Sequence, residues 1–218
     1  PRVGKEEELF LPGLKASNIW YGHASSVCWM QSELPKGFSQ KMEAQGLAQT
    51  YEESGWCFVE ATISAGVKAG KRRLDLGKRT EEAMGKGYGT LQTVCTAKRP
   101  APILPEEAAR QLREVKVFTA GSDVDKVIEL YRSFFEGVSQ STKELIFHSL
   151  EWGDEEAVQL AAVLPSFVRL EKLNLNGNQI GDAGAAAFAE AIAKEGACPS
   201  LTEILLFSNP ASDEAKKA

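Results

Sequence analysis

The pattern of apolar and polar positions is clearest near residue 173. The segment LNLNGN places leucine at alternate positions, Leu173 and Leu175, which predicts a short strand with one buried face. The next segment, GDAGAAAFAEAI, has small and apolar residues at helical spacing, which predicts a helix packed closely behind the strand. Asn178 lies where the chain must turn, and its amide can bond backbone groups that the bend leaves unpaired.

The same unit occurs three times. Leu145 and Leu173 are 28 residues apart, and Ile204 follows after 31. The first copy has Leu150 in place of Asn178, and the third copy stops partway through its helix. Each unit buries its apolar face only against its neighbours, so we expect adjacent parallel strands. The repeat positions in the second and third copies are Leu170, Leu173, Leu175, Asn178, Ile180, Leu201, Ile204, Leu206 and Asn209.

These units resemble the leucine-rich repeat in its ribonuclease-inhibitor-like form, with the pattern LxxLxLxxNxI beginning at Leu170. The resemblance covers the last third of the chain and implies a curved solenoid with a parallel sheet on its concave face. The outward strand residues would bind a protein partner. They are Ile146, His148, Asn174, Asn176, Leu205 and Phe207. Leu205 and Phe207 are apolar at exposed positions, which indicates a partner or, alternatively, cover by the N-terminal segment.

Two helices are predicted before the repeats. The segment from Ser122 to Val138 has a wide apolar stripe, and Ser122 with Asp125 matches a capping box. Pro105 and the two glutamates after it are typical of a helix N-terminus. The stretch from Lys98 to Pro105 is expected to be an extended connector. We expect the helical pair to cap the open end of the solenoid.

The N-terminal part predicts a strand, helix, strand unit. The strands are expected at Val27 to Met30 and Lys71 to Leu76, and the helix begins after Ser54 as its N-cap. The predicted fold class is therefore α/β. Its expected domains are a small α/β module at 1–97, a connector and helical cap at 98–138, and leucine-rich repeats at 139–218.

One carboxylate in the N-terminal part is a candidate catalytic group. Helical spacing places Glu60 on one face with Trp56 and Ile63, where partial burial would raise its pKa. The residues Ser54, Trp56, Cys57 and Glu60 resemble the Ser-x-Trp-Cys-x-x-Glu segment of Toll/interleukin-1 receptor (TIR) domains. In NAD-cleaving TIR domains this glutamate is catalytic, so the resemblance implies that role for Glu60.

The spacing before this segment departs from the TIR pattern. Only about 20 residues separate Met30 from Tyr51, and they have room for one short helix between Ser39 and Leu47. We therefore expect a non-enzymatic interaction protein without a cofactor. The alternative is a divergent NAD-cleaving enzyme that uses Glu60, with the repeats as sensor or oligomeriser.

Charge narrows the class of partner. The chain has a net charge of −5, and the residues from Ser139 onward carry a net of −6. This balance argues against a nucleic-acid partner, because phosphate binding needs a surplus of Lys and Arg. The run from Lys68 to Arg79 holds six basic residues. We expect a solvated strand edge there, with a phosphate or acidic-partner site as the alternative.

The cysteine spacing and the hydropathy of the chain indicate which cellular compartment to expect. Cys28, Cys57, Cys95 and Cys198 are far apart and form no CxxC pair, so we expect neither a metal site nor a disulfide framework. A reducing, cytoplasmic setting is the simplest interpretation. No run of about 18 apolar residues occurs, so no membrane partner is expected. The chain begins at Pro1, which suggests a fragment of a longer repeat protein.

Overall fold

The computed structural model describes residues 4–23, 25–68 and 70–216. The chain divides into two units. The first unit consists of Pro1–Ala97 and Ala108–Phe134, and the second of Lys98–Glu107 and Phe135–Ala218.

The first unit combines helices with a short parallel sheet. Its elements are α1 (Lys5–Gly22), β1 (Cys28–Met30), α2 (Phe38–Glu43), α3 (Gly55–Val67), β2 (Arg73–Asp75), α4 (Glu81–Gly85) and α5 (Tyr88–Val94). Helices α6 (Pro105–Glu114) and α7 (Val124–Ser141) each contribute part of their length to it. Strands β1 and β2 pair in parallel, with Trp29 opposite Leu74 and α3 between them in sequence. The predicted strand, helix, strand unit is therefore confirmed.

Helix α3 begins where the sequence pattern predicts. Ser54 Oγ accepts a hydrogen bond from a backbone amide of the first turn, which would otherwise be unpaired. Gly55 is needed next to it, because a Cβ atom there would lie 2.1 Å from Phe118 Cζ. Val59 and Ile63 are fully buried on one face of the helix. The apolar face of α3 therefore belongs to the core of the first unit.

Lys68 and Arg73 of the basic run are buried, so the solvated strand edge expected there is wrong for these two residues. Lys68 Nζ donates to the carbonyls of Trp20 at 3.1 Å and His23 at 2.6 Å, at the end of α1. Arg73 Nε donates to Ser64 Oγ at 3.0 Å. Burial lowers the pKa of both side chains. These hydrogen bonds offset part of the cost of removing each charge from water.

The second unit contains a parallel sheet with the strand order β3, β4, β5. Its elements are β3 (Glu144–Ile146), α8 (Asp154–Val163), β4 (Lys172–Asn174), α9 (Asp182–Ile192) and β5 (Glu203–Leu205). Leu145 lies opposite Leu173, and Leu173 lies opposite Ile204. These are the residues that the repeat spacing of 28 and 31 positions predicts to be equivalent. Strand and helix therefore alternate with the period of the sequence pattern.

The turns after the three strands share one left-handed backbone position. Ser149, Gly177 and Ser208 occupy equivalent positions and have φ values of 54°, 70° and 56°. Left-handed φ is uncommon for residues other than glycine, so its occurrence at the three matching positions shows that this step of the turn is repeated. The first turn differs at Glu151, whose φ of 59° is also left-handed.

A buried asparagine ties the first turn to the second. Asn178 Oδ1 accepts hydrogen bonds from the backbone N–H of Leu150 at 2.9 Å and of Trp152 at 3.2 Å. Asn178 Nδ2 donates to the carbonyls of Phe147 and Leu175, both at 2.8 Å. The side chain thus satisfies buried backbone groups in its own unit and in the preceding one.

Asn209 has the same role one unit later. Its Oδ1 accepts from the backbone N–H of Ile180 at 3.0 Å, and its Nδ2 donates to the Leu175 carbonyl at 2.9 Å. Both buried asparagines therefore link neighbouring units through backbone groups that the turns leave unpaired.

The helical layer repeats in a similar way. Asp154 Oδ1 accepts from the backbone N–H groups of Gly181 and Gly184, at 2.7 and 2.9 Å. Asp182, at the equivalent position, accepts from the backbone N–H of Ser212 at 2.6 Å. Each aspartate therefore pairs with backbone donors of the following unit, and the carboxylate at the start of each helix complements the helix dipole.

The segment from Lys98 to Pro105 belongs to the second unit and packs against its first repeat. Trp152 Nε1 donates to the Arg99 carbonyl at 2.7 Å, and the Arg99 guanidinium lies 4.7 Å from the centre of the Phe147 ring. Gln159 Nε2 donates to the Ala101 carbonyl at 3.1 Å. This segment therefore contacts the first strand of the sheet, through Arg99 and the Ile146 carbonyl, and the helix that follows it, through Gln159.

Helix α7 begins later than the sequence pattern indicates. It starts at Val124 after a 3₁₀ turn at Gly121–Asp123, so Ser122 lies within that turn. The capping box predicted from Ser122 and Asp125 is therefore wrong. Asp123 pairs with Lys126 at 3.2 Å on the exposed side. The predicted apolar stripe is buried at Val127, Ile128, Tyr131 and Phe135.

Replacing Asn178 by alanine is expected to destabilise the second unit by about 3 kcal/mol, because buried backbone groups lose their partners. Hydrogen exchange of the β4 amides measures this loss as the free energy of local opening. Gln179→Ala, at an exposed neighbouring position, is the control and should change it by less than about 0.5 kcal/mol. Equal effects of the two substitutions would contradict the bridging role.

Candidate functional site

The outward side of the three-stranded sheet brings the six predicted partner-binding residues together. We call Ile146, His148, Asn174, Asn176, Leu205 and Phe207 the strand face. Ile146, Asn174 and Leu205 are register partners across the sheet. The parallel hydrogen-bond ladder continues beyond the strands, since Gly177 N–H donates to the Phe207 carbonyl at 2.9 Å. The row of His148, Asn176 and Phe207 therefore lies next to the first row.

The apolar residues of the strand face are only partly covered. Phe207 is 69% exposed and Ile146 is 47% exposed, while Leu205 is half-buried. On the opposite side of the sheet Leu173 and Leu175 are fully buried. Large apolar side chains on a regular exposed surface are typical of an interaction site.

The two asparagines of the strand face have their oxygen atoms fixed. Asn174 Oδ1 accepts from the backbone N–H of Asn176 at 3.1 Å. Asn176 Oδ1 accepts from the backbone N–H of Phe207 at 2.8 Å. Both side chains are half-buried. These bonds orient the amides and hold the middle of the strand face in one conformation.

A charged row lies beside the strand face. Glu144, Lys172 and Glu203 are register partners, and Lys172 Nζ lies 2.8 Å from a Glu203 carboxylate oxygen. The hydrogen bond and charge of Glu203 raise the pKa of Lys172. The pair is exposed to solvent, so it adds little to stability. The ion pair does, however, neutralise two of the three charges in this row.

Residues 170–189 match a family model described as "Leucine Rich repeat". The match spans β4 and most of α9, including Asn178. The chain contains a leucine-rich repeat. A search of curated proteins found no match to the chain.

The leucine-rich repeat positions are best covered in the matched copy. Leu170, Leu173, Leu175 and Ile180 are fully buried there, and Asn178 is buried with them. In the third copy Asn209 is buried, but the apolar positions are only half-buried. These positions are Leu201, Ile204 and Leu206. The difference arises because the core of the middle copy is covered by units on both sides.

Glu60 lies in the first unit, apart from the repeats in sequence. Its side chain is half-buried on α3, and Tyr21 on α1 donates a hydrogen bond to it. Burial raises the pKa of Glu60, while the Tyr21 hydrogen bond opposes this by stabilising the carboxylate. Burial and the adjacent carboxylate raise the pKa of Tyr21 in turn. Tyr21, the donor, and Glu60, the acceptor, therefore form a hydrogen-bonded pair that is partly shielded from solvent.

Tyr21 is the residue that sequence reasoning missed. It lies 39 positions before Glu60, in a helix that contains Pro12 and has no strong apolar stripe. Two thiols also lie within electrostatic range of the pair, and burial raises the pKa of both Cys28 and Cys57. Neither thiol is therefore activated as a nucleophile.

Neither a metal-binding cluster nor a membrane-spanning helix occurs in the described ranges. Among them, no group of three or more His, Cys, Asp and Glu side chains is arranged to hold a metal ion. No helix of residues 4–23, 25–68 and 70–216 has both the length and the hydropathy of a membrane span.

The raised pKa of Glu60 predicts a pH-dependent cost to folding. Below the ordinary Glu pKa the carboxyl is protonated in both states, so it imposes no cost. As the pH rises through the ordinary pKa towards the raised folded value, ionisation costs the folded state more than the unfolded state. Glu60→Gln removes this cost and can still accept from Tyr21. The variant should gain stability over the unchanged chain as the pH rises.

Urea denaturation of both proteins between about pH 4 and pH 8 measures this difference. Glu52→Gln, at an exposed position before α3, controls for adding an amide to this region. A stability difference that stays constant with pH would contradict the raised pKa.

Proposed function

We propose that this chain is a protein-interaction module that binds a protein partner through the strand face. The observation that supports this most strongly is the exposure of Phe207 and Ile146 at outward positions of a regular sheet. The leucine-rich repeat match at residues 170–189 supports the same function, because stacked repeats present extended binding surfaces.

The proposal includes the form of the repeats and the role of the segment before them. We propose that the repeats from residue 139 onward form a short ribonuclease-inhibitor-like solenoid and that residues 98–138 cap it. The contacts of Arg99 and Ala101 with the first strand and helix of the sheet support a capping role for the start of this segment. The third proposed domain is the α/β module at 1–97.

The proposed setting is cytoplasmic, with neither a nucleic-acid nor a membrane partner. The four cysteines are free thiols, which suits a reducing compartment. The net charge of −5 suits a protein partner better than a nucleic acid. No cofactor is part of this proposal.

Replacing Leu205 and Phe207 together by aspartate is expected to abolish partner binding, because two charges would be buried in the interface. Affinity capture with the unchanged chain and the double variant, compared by quantitative mass spectrometry, measures the loss. Val158→Asp is the matched control, since Val158 is 50% exposed on helix α8 and outside the strand face. If the double variant retained every captured protein, the proposal would be wrong.

A second candidate function is NAD cleavage by a divergent TIR-like module. One observation favours it: Glu60 is half-buried, accepts a hydrogen bond from Tyr21 and has a raised pKa. A carboxyl group with these properties suits proton transfer. Residues 31–50, however, hold only the short helix α2 and no strand, so the part of a TIR domain before this segment has no counterpart there.

If this second function is correct, incubation with NAD should release nicotinamide, and Glu60→Gln should slow the release by about 100-fold or more. Chromatography of the products measures the rate. Glu52→Gln again serves as the control. Absence of release from the unchanged chain, or equal rates in the variant, would exclude the activity.

A further inference from the structure

The asparagines in the middle of the strand face present two oriented hydrogen-bond donors. The oxygen of each amide is held by a backbone N–H, of Asn176 for Asn174 and of Phe207 for Asn176. Neither Nδ2 atom bonds another residue in the part of the chain that the structure describes. With the oxygens fixed, the NH₂ groups of both side chains remain available to a ligand on the outward side.

The spacing of these donors matches an extended polypeptide. Asn174 ends β4 and Asn176 follows two residues later, where the backbone hydrogen-bond ladder to the neighbouring segments continues. The two positions are therefore about 6.6 Å apart. In an extended peptide, carbonyls that point to the same side also recur every two residues, at the same distance. A peptide lying along β4 and the two residues after it can therefore place two successive carbonyls over the two amides.

The neighbouring strands would accommodate the side chains of such a peptide. The adjacent strands and the residues that follow them lie about 4.8 Å away, with Ile146 and His148 on one side and Leu205 and Phe207 on the other. A peptide whose carbonyls face the sheet directs its side chains alternately towards these two strands. Ile146 and Phe207 are the largely exposed apolar groups there, so they favour apolar side chains.

Charge favours neutral carbonyls over carboxylates as acceptors. In the adjacent row Lys172 pairs with Glu203, which leaves the Glu144 carboxylate without an ion pair among the described residues. The surface beside the asparagines thus has a net negative charge. An acidic ligand would be repelled, whereas backbone carbonyls would not be.

We propose that the strand face binds an extended peptide segment whose backbone carbonyls accept hydrogen bonds from Asn174 and Asn176. Apolar side chains of the peptide lie against Ile146 and Phe207. This inference rests on the proposed function and specifies its partner: the contact is a linear segment, not the surface of a folded domain.

The test uses a bead library of random octapeptides with acetylated and amidated ends, screened with the full chain. Peptides that bind are resynthesised, and their affinities are measured by fluorescence anisotropy. The key variants are Asn174→Asp and Asn176→Asp, which keep the oxygen that accepts the backbone hydrogen bond and remove the donor. Protection of the Asn176 and Phe207 amides from hydrogen exchange verifies that each variant retains the local structure.

Each aspartate variant should bind the selected peptides roughly two- to tenfold more weakly, as expected for one lost hydrogen bond. The loss should persist at high salt, because an effect of the added charge alone would be screened. Replacing the amide bond that follows the contacting carbonyl by an ester weakens that acceptor and should lower affinity for the unchanged chain in the same way. Phe207→Asp should abolish peptide binding.

Two outcomes would overturn the inference: a library that yields no peptide, or selected peptides that bind the aspartate variants and the ester analogues with unchanged affinity. Either result leaves the proposed function intact if the Leu205 and Phe207 double variant still loses captured proteins. Failure of that double variant to lose any captured protein would overturn both.

Discussion

The second unit depends on one interaction, the bridging of successive turns by a buried asparagine amide. A parallel sheet of short strands needs a sharp turn after every strand, and each turn leaves buried backbone groups without partners. Asn178 and Asn209 satisfy these groups in their own unit and in the preceding one. Because an unsatisfied buried group is costly, each amide also fixes how far one unit is shifted relative to the next.

The same residue type has a second role on the other side of the sheet. Asn178 uses both ends of its amide inside the unit, whereas Asn174 and Asn176 use only their oxygens there. Burial accounts for the difference, since a buried amide must satisfy all its hydrogen bonds and a half-exposed one need not. The register that the buried asparagines hold is also what places the exposed ones beside Ile146 and Phe207.

The first unit is held by a different kind of contact. Lys68 and Arg73 are buried charges. Lys68 donates to backbone carbonyls at the end of α1, far away in sequence, and Arg73 donates to the Ser64 hydroxyl on α3. Glu60 meets Tyr21 in the same manner, through a side chain from another helix. Such contacts favour one arrangement of the chain. In any arrangement that removed a partner, a buried charge would be poorly compensated.

The sequence alone determined the units of the sheet, their register and the residues of the strand face, because these follow from a local pattern that recurs every 28 to 31 residues. It also indicated the N-cap at Ser54 and the helix face that Glu60 shares with Ile63, which depend on neighbours within a few positions. Only the tertiary structure decided that Lys68 is buried and that Tyr21 reaches Glu60. Each of those contacts joins residues about 40 or more positions apart, where no periodicity relates one side chain to the other.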